Sequence, residues 1–474
     1  MTNDEFNAAQ QTVQGYVLHG HKRSHIWCAL LRFKPDAPKQ ELRKQLQDLG
    51  ASVTSGSDIV GNKARKDYVV RSIGLTWPGY QAIGLSNYPE RFSPEFQQGF
   101  AARAETVTHR NPNKDGWDFG EWNLDARYHA LFIFAAGTSD SAQQSGGKNL
   151  DGSADDVLLT KIQADINEKF KDLADWVTWL KGFLKRDKNG FTTENFGFAD
   201  GISDPVFKPN LSPAGPSIVK PETFSSDAGL PLAFVREPFP GGKGSSEYGS
   251  YLAFLNIEQH VDKFKAATRC LASALGKSST DAAALIIGRR QDGSPLTGVG
   301  TTSQSTEQIR QAIVERHTAA GISTGVTNEL KTIMNNFGSK QPGDLWPNAS
   351  HIRKMNPRTD PSRRIVRRSC VYADEEKNRR GVLFQCFQAS LAQQFEFLMS
   401  AWANNTTQPV DGCGVDPIVG HDPLGRPQEW PTGEKTKNGE PKTIPLVVTG
   451  LTTIRGGEYF YFPSIPSLKN LANL

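Results

Sequence analysis

The amino-acid sequence predicts an α+β protein with two ferredoxin-like domains, each an antiparallel sheet with its helices on one face. The chain has 474 residues, more than one ordinary hydrophobic core accommodates. Its strand and helix patterns follow the order βαββαβ twice. A segment rich in Pro, Gly and Ser, residues 203–245, separates the two runs. We therefore predict an N-terminal domain over residues 1–215 and a C-terminal domain over residues 216–474.

The first βαββαβ run occupies the N-terminal part of the chain. Its apolar segments predict four strands, at residues 25–33, 68–76, 128–136 and 176–183. The first helix begins after Asp36 and Pro38 and ends at Gly50. The second helix is predicted because apolar residues return at helical spacing from Leu159 to Leu173. Each helix connects two strands, as the ferredoxin-like order requires.

The second run repeats this order without a detectable sequence repeat. Apolar segments predict strands at residues 251–257, 365–372 and 382–387, followed by a late strand. One helix is predicted from about Glu258, and an amphipathic helix is predicted from Ser390 to Trp402. A polar insertion at about residues 275–350 separates the first helix from the second strand. Its length predicts a functional or disordered segment rather than core.

Composition excludes several classes of protein. Hydrophobic residues make up 37% of the chain and charged residues 22%, values typical of a soluble globular protein. The 54 basic and 50 acidic residues leave a net charge of +4, which does not indicate a nucleic-acid partner. Because the sequence shows neither a membrane-length apolar run nor a signal-like N-terminus, we predict a cytoplasmic protein without a membrane partner. The five cysteines are widely spaced, which predicts buried free thiols.

The segment Gly197–Gly201 is the first candidate functional feature. It carries a carboxylate, Asp200, on a predicted turn whose glycines allow the backbone to approach a ligand closely. A surface turn without function explains the same residues. Because a Gly-x-x-Asp-Gly pattern is short, it does not decide between these interpretations alone.

His351 is the second candidate, and it lies among basic residues in the segment 351–358. A neutral imidazole there could offer a nitrogen to a metal, while the basic surroundings would face anionic groups. The alternative is an ordinary surface histidine.

A basic strand start, residues 363–368, is the third candidate. Because side chains alternate along a strand, Arg367 and Arg368 should point to opposite faces, so one of them can point inward. An inward guanidinium needs an anion or a developing negative charge as its partner. The alternative is a solvated sheet edge that is protected by its charge.

In their order and local sequence, these features resemble the dye-decolorising peroxidase family of haem enzymes. The similarity covers most of the C-terminal two-thirds of the chain and looks like the longer subgroup, which has fungal and bacterial members. Residues 1–125 match only in their order of elements. The matching segments are residues 196–205, 249–254 with Gln259, 288–296, 351–358, 380–384, 394–397, 402–405 and 455–464.

The resemblance implies one haem b per chain, bound in the C-terminal domain, with His351 as the proximal iron ligand. Asp200 and Arg367 match the distal aspartate and arginine of the family, and Arg368 is the alternative to Arg367. The family often gives its proximal histidine an acidic hydrogen-bond partner, which the sequence leaves unassigned between Glu396 and Asp416. Further contacts to the cofactor are expected from Gly201, Ile202, Val382, Leu383 and Phe384.

The implied function is a haem peroxidase that uses hydrogen peroxide to oxidise bulky phenolic or dye-like donors through a ferryl haem. Asp200 would take a proton from peroxide and return it, while Arg367 would stabilise the developing negative charge. Because an aspartate has a low ordinary pKa, we predict an acidic optimum. Tyr372, which follows the basic strand, is a hypothetical electron relay to the surface.

Two other functions use the same residues. A haem-binding or haem-delivery protein would need the histidine and the basic pocket but not the distal aspartate. A binding module without a cofactor is the third hypothesis, because the ferredoxin-like scaffold hosts many unrelated functions. The sequence does not fix the number of subunits, and a homodimer is an open expectation.

Overall fold

The computed structural model describes residues 3–21, 23–62, 68–87, 89–110, 128–137, 154–187, 192–202, 204–207, 227–228, 230–237, 247–294, 296, 306–319, 348–355, 360–409, 411–422, 429–435, 437–439, 441–444 and 450–474. Its strands are β1 (His25–Phe33), β2 (Val70–Leu75), β3 (Ala130–Ala136), β4 (Ala174–Phe183), β5 (Lys185–Arg186), β6 (Thr192–Thr193), β7 (Val206–Phe207), β8 (Asp227–Ala228), β9 (Val235–Arg236), β10 (Tyr248–Gln259), β11 (Val366–Arg367), β12 (Cys370–Asp374), β13 (Arg379–Gln388), β14 (Trp430–Lys435), β15 (Pro441–Ile444) and β16 (Thr452–Phe462).

The α-helices are α1 (Asn3–Thr12), α2 (Gly15–Leu18), α3 (Lys39–Gly50), α4 (Gly56–Gly61), α5 (Trp77–Ala82), α6 (Pro94–Gln98), α7 (Phe100–Thr108), α8 (Ala154–Phe170), α9 (Val261–Leu275), α10 (Ser279–Ile287), α11 (Thr306–Ala319), α12 (His351–Met355) and α13 (Ile465–Lys469). Short 3₁₀ helices span Pro89–Arg91, Leu230–Leu232, Pro361–Arg363 and Leu471–Asn473. Two π-helical segments span Ala392–Glu396 and Leu398–Ala403.

The first four long strands form an antiparallel half-sheet in the order β4-β1-β3-β2. A βαββαβ chain gives this order when both of its connecting helices lie on one face. Leu42 and Leu46 of α3 and Ile166 of α8 are buried in one core cluster, so the two helices do share a face. The predicted order of the first run is therefore confirmed.

The C-terminal part repeats the same topology in the order β16-β10-β13-β12. Strands β10 and β13 pair over Tyr251–Glu258 and Gly381–Gln388, which places the predicted strand 382–387 in the centre of this half-sheet. The helix predicted from about Glu258 begins at Val261, because β10 continues to Gln259. The α+β class with two ferredoxin-like units is confirmed.

The two half-sheets join at both of their edges. Leu75 of β2 pairs with Tyr461 of β16, and Phe183 of β4 pairs with Val371 of β12. A second buried cluster draws its side chains from both half-sheets. We call these two junctions the seams of the sheet. A glycine lies at each seam, Gly74 beside β16 and Gly182 beside β12, and a Cβ at either position would collide with a side chain of the opposite half-sheet.

Two predicted elements differ in detail from those observed. The single strand predicted at residues 365–372 is interrupted between β11 and β12, where the Arg368 side chain turns to the carbonyl oxygens of Tyr16 and Val17. The helix predicted at 390–402 is present but is wound as π-helix, with backbone hydrogen bonds such as Glu396 N–H to Leu391 O.

The polar insertion contributes more to the core than we predict. Within residues 275–350, α10 buries Ile286 and Ile287 in a cluster that also contains Phe196 and Phe198. The domain boundary predicted at residues 215 and 216 lies outside the described residues and stays a prediction. Four of the five cysteines are buried, but Cys270 is exposed on α9. Among the described residues, we find no helix long and apolar enough to cross a membrane.

Candidate active site

A cavity opens between the second half-sheet and the helices that cover it. The space between atoms amounts to about 1600 Å³, part of which is open to solvent. Its walls come from the segment 194–202, from β10, β13 and β16, and from helix α12 with the π-helical segments. Apolar side chains dominate these walls, while His351, Asp200 and Arg367 are among the few titratable side chains that line the same space.

His351 is the first residue of α12, and its imidazole is fixed by a buried carboxylate. The Nδ1 atom lies 2.9 Å from Oδ2 and 3.1 Å from Oδ1 of Asp416. The Asp416 side chain is fully buried and also accepts the backbone N–H groups of Ile418 and Val419. This contact assigns the proton to Nδ1, which leaves Nε2 as the nitrogen available to a metal.

Burial and the contact between His351 and Asp416 shift the pKa values of these two residues in opposite directions. Burial lowers the pKa of His351, but the charge of Asp416 and its hydrogen bond outweigh burial, so the pKa lies above its ordinary value. Burial raises the pKa of Asp416, but the charge and hydrogen bond of His351 and the two backbone N–H donors hold it below its ordinary range. The carboxylate is therefore ionised and strongly attached to the ring.

Asp200 and Arg367 form a hydrogen-bonded ion pair on the cavity wall. Arg367 Nη1 donates to Asp200 Oδ1 over 2.6 Å, and Arg367 Nε lies 3.4 Å from Oδ1 of Asp204. The Asp200 side chain is 30% exposed and that of Arg367 is 25% exposed, so both can meet a small molecule in the cavity. The pair joins the end of the segment 194–202 to β11.

The turn that carries Asp200 is held by its own backbone. Asp200 N–H donates to Thr192 O over 2.8 Å, and Ala199 N–H donates to Gln291 O over 2.9 Å. Gly197 and Gly201 adopt positive φ angles of 94° and 77°, which residues with a side chain rarely adopt. The glycine pattern is thus needed for the turn itself, and the turn aims the carboxylate into the cavity.

Arg367 also sets the protonation of Asp200. Burial raises the pKa of Asp200, but the charge of Arg367, the Gly201 N–H and the Arg367 hydrogen bond outweigh burial, so the pKa is lower than usual. The pKa of Arg367 is raised, because Asp200 and Asp204 more than offset the cost of its burial. The carboxylate is therefore ready to accept a proton even in mild acid.

The structure distinguishes among the remaining predicted residues. Gly201, Ile202, Val382 and Phe384 line the cavity. Leu383 does not: it points to the opposite side of β13 and is buried in the cluster between the half-sheets, so it is removed from the candidate site. Arg368 points away as well, as strand alternation requires, so Arg367 is the one of these two arginines that lines the cavity.

Sequence reasoning missed or left open three charged residues. The first is Asp416, which is the hydrogen-bond partner of His351. Glu396, the other carboxylate considered for this role, instead accepts hydrogen bonds of 2.5 and 2.6 Å from Arg103. Glu194 lines the cavity and accepts the N–H groups of the turn at residues 196 and 198. Burial raises the pKa of Glu194 to about 7. Arg289 is a buried wall residue, and burial lowers its pKa to about 9.

Comparison with known proteins places this geometry in a family. Residues 233–411 match the family model of the Dyp-type peroxidase C-terminal domain. A multifunctional dye peroxidase from Amycolatopsis sp. is 31% identical, with 97% of this chain and 95% of that protein covered. The chain belongs to the dye-decolorising peroxidase family. A dye-decolorizing peroxidase from Exidia glandulosa is 28% identical, with 96% of this chain and 85% of that protein covered.

Solved structures agree with this assignment. The crystal structure of a DyP-type peroxidase from Anabaena sp. superimposes with a TM-score of 0.74 at 26% identity, covering 99% of this chain and 95% of the other. Dye-decolorising peroxidases are haem-dependent enzymes, so this chain is a haem-dependent peroxidase. The family predicted from the sequence is thereby confirmed.

The donor set of the cavity fits a haem. An imidazole whose Nδ1 proton is held by a buried carboxylate is a typical axial ligand with a fixed tautomer. The walls carry apolar side chains such as Ile257, Phe384 and Met399, as a flat apolar macrocycle requires. The Asp200–Arg367 pair adds a carboxylate and a guanidinium to these apolar walls.

Proposed function

We propose that this protein reduces hydrogen peroxide at a haem b held by His351, one per chain, and oxidises bulky phenolic or dye-like donors. The observation that carries the proposal is one cavity lined by a carboxylate-bound imidazole and by an ionised Asp–Arg pair. Haem binding in the C-terminal half follows, because His351 and most of the cavity walls come from it. The donor class rests on the similarity to the Amycolatopsis relative, which is a multifunctional dye peroxidase.

When bound, haem supplies the iron that coordinates peroxide and stores the oxidising equivalents for the donors. Asp200 Oδ takes the proton from the inner oxygen of peroxide and delivers a proton to the outer oxygen, which leaves as water. Arg367 stabilises the negative charge that develops as the O–O bond breaks. Asp416 holds the Nδ1 proton of His351 and so strengthens Nε2 as a donor to iron.

A haem carrier is the second candidate, since His351 and Asp416 alone would serve storage equally well. The ionised Asp200–Arg367 pair favours the enzyme, because a carrier has no need for a proton acceptor beside its cofactor. A cytoplasmic location and a homodimer remain predictions that accompany this proposal.

The test is an absorption spectrum of haem-reconstituted protein before and after one equivalent of hydrogen peroxide. We expect a Soret band that shifts with peroxide in the wild type. His351→Ala should bind haem more weakly and change the band, because the axial nitrogen is lost.

The matched control is His19→Ala, a half-buried histidine that contacts Gln10 and does not line the cavity. It should behave as the wild type. If the wild type binds no haem, or if His351→Ala and His19→Ala give identical spectra, the proposed function is wrong.

A further inference from the structure

Lys354 is a charged residue that the proposed reaction does not use. It lies one turn after His351 on α12 and is only 1% exposed, which is rare for lysine. Burying an ammonium group is costly unless its three donors are satisfied. Lys354 Nζ donates to Asn405 O over 2.9 Å, to Gly414 O over 2.7 Å and to Gln408 O.

All three carbonyl acceptors lie on the loop that leads to Asp416. The described residues of this loop, 404–409 and 411–416, follow the second π-helical segment and lie beside α12. The Cys413 thiol completes the surroundings of the ammonium group at 3.5 Å from Nζ. One side chain of α12 therefore holds both the start and the end of the loop.

The same helix and the same loop also meet at His351 and Asp416. Residues three apart on a helix lie on one side of it, so Lys354 and His351 face the loop together. Gly414, which accepts from Lys354, is two residues from Asp416, which binds His351. The contact that fixes the loop thus lies next to the contact that fixes the imidazole.

We infer that Lys354 is a positioning residue that keeps the Asp416 carboxylate on Nδ1 of His351 and so sets the donor strength of His351 towards haem iron. This inference rests on the proposed function. Without Lys354, three loop carbonyls lose their donor and the loop relaxes towards water. The Asp416–His351 hydrogen bond lengthens, and Nε2 becomes a weaker ligand.

The midpoint potential of the iron separates this role from the two alternatives. A weaker axial donor stabilises the oxidised iron less, so loss of positioning raises the potential. If Lys354 acted only as a nearby positive charge, its removal would favour the oxidised iron and lower the potential. If it only stabilised the fold, the potential would not change.

The experiment is a potentiometric titration of haem-reconstituted wild type, Lys354→Met, Asp416→Asn and the double variant. We expect the potential of Lys354→Met to rise by at least half of the shift that Asp416→Asn causes. The double variant should equal Asp416→Asn, because Lys354 acts through the carboxylate that is already lost. A lowered or unchanged potential in Lys354→Met overturns the inference, and so does a fully additive double variant.

Two further variants keep the test decisive. Lys354→Gln retains two donors and should give a smaller rise, which serves if Lys354→Met does not fold. Leu30→Ala removes a fully buried side chain from the cluster between the half-sheets and should lower stability without moving the potential. A wild type without His351-dependent haem binding refutes the proposed function, whereas normal haem binding with an unmoved potential in both Lys354 variants refutes only the role of Lys354.

Discussion

Asp200 touches both its own turn and Arg367, so its replacement by asparagine tests proton transfer with little change of shape. We expect Asp200→Asn to slow the reaction with peroxide by about 10²- to 10⁴-fold, because an amide cannot accept the proton. Haem affinity should stay at its wild-type value. Stopped-flow absorbance measures the first quantity and haem titration the second. Unchanged peroxide kinetics would favour the haem carrier instead.

The 2.6 Å contact between Arg367 and Asp200 also predicts the pH dependence. Because the pKa of Asp200 is held below its usual value, the carboxylate remains ionised as the pH falls, and the rate with peroxide should persist into mild acid. In Arg367→Leu the raising effect of burial on the pKa of Asp200 loses its largest opposing contribution, so the acid limb of the pH–rate profile should move to higher pH. Rates measured by stopped flow from about pH 3 to pH 8 check both statements.

Arg367→Lys is the control, since it keeps a positive charge and should leave the acid limb closer to the wild-type position. If the acid limb of the pH–rate profile does not move in Arg367→Leu, the low pKa of Asp200 does not come from the charge of Arg367. Donor oxidation that rises steadily from about pH 4 to pH 8 in the wild type would contradict the predicted acidic optimum.

Single residues of the candidate site could be proposed from the sequence where a short local pattern singles them out, and the structure places these residues around one cavity. Asp200 lies within five residues that define its turn, and His351 and Arg367 lie in short basic segments. Asp416 was not assignable, because it lies 65 residues from His351 and only the fold brings them together. Leu383 shows a related limit: alternation on a strand tells which residues share a face, but not which face meets the cavity.

The glycines at the two sheet seams make a prediction about elements. A Cβ at Gly74 would collide with the Phe462 ring, and one at Gly182 would collide with Cys370 Sγ. We expect Gly74→Ala and Gly182→Ala each to destabilise the protein by about 1–3 kcal/mol, because strands must separate or side chains must leave their rotamers. Denaturant unfolding followed by circular dichroism measures the loss.

Gly20→Ala is the matched control, since no atom lies within 4 Å of the added Cβ. The combination of Gly182→Ala with Cys370→Ala should cost less than the two single changes together, because the colliding sulfur is gone. Full additivity would mean that the seam tolerates the extra methyl group in another way.

Strand order was predictable because each strand has a continuous apolar run and the βαββαβ order leaves few topologies. The π-helical winding at 392–403 was not predictable from the sequence. Over so few turns, the same buried residues also fit the spacing of an α-helix. This winding places Phe395, Leu398 and Met399 on the cavity wall. Apolar spacing therefore predicted a helix there but not its geometry.

At the scale of the molecule, the cavity combines residues from both predicted domains. Asp200 precedes the predicted boundary and His351 follows it, and both line the same space. We expect haem to raise the melting temperature of both halves together. The free energy of stabilisation should grow with haem concentration and reach about 2.7 kcal/mol at 100 times Kd. Differential scanning calorimetry with and without haem measures this shift, and His351→Ala should reduce it.

A calorimetric trace in which haem moves only one of two transitions would contradict this coupling. The control is a scan with added metal-free protoporphyrin, which tests whether the macrocycle alone suffices because it offers no metal for His351 to bind. Equal shifts with both compounds would assign the stabilisation to the apolar walls rather than to iron ligation by His351.

The pairing of Leu75 with Tyr461 has a consequence for biosynthesis. Among the described strands, β16 is the one that covers the outer edge of β2, and it ends at Phe462, so this edge stays uncovered until residue 462 has been synthesised. An uncovered edge is a template for wrong pairing with other nascent chains. Pairing at this junction therefore waits until β16 has been synthesised, and the edge of β2 is exposed to other chains during that time.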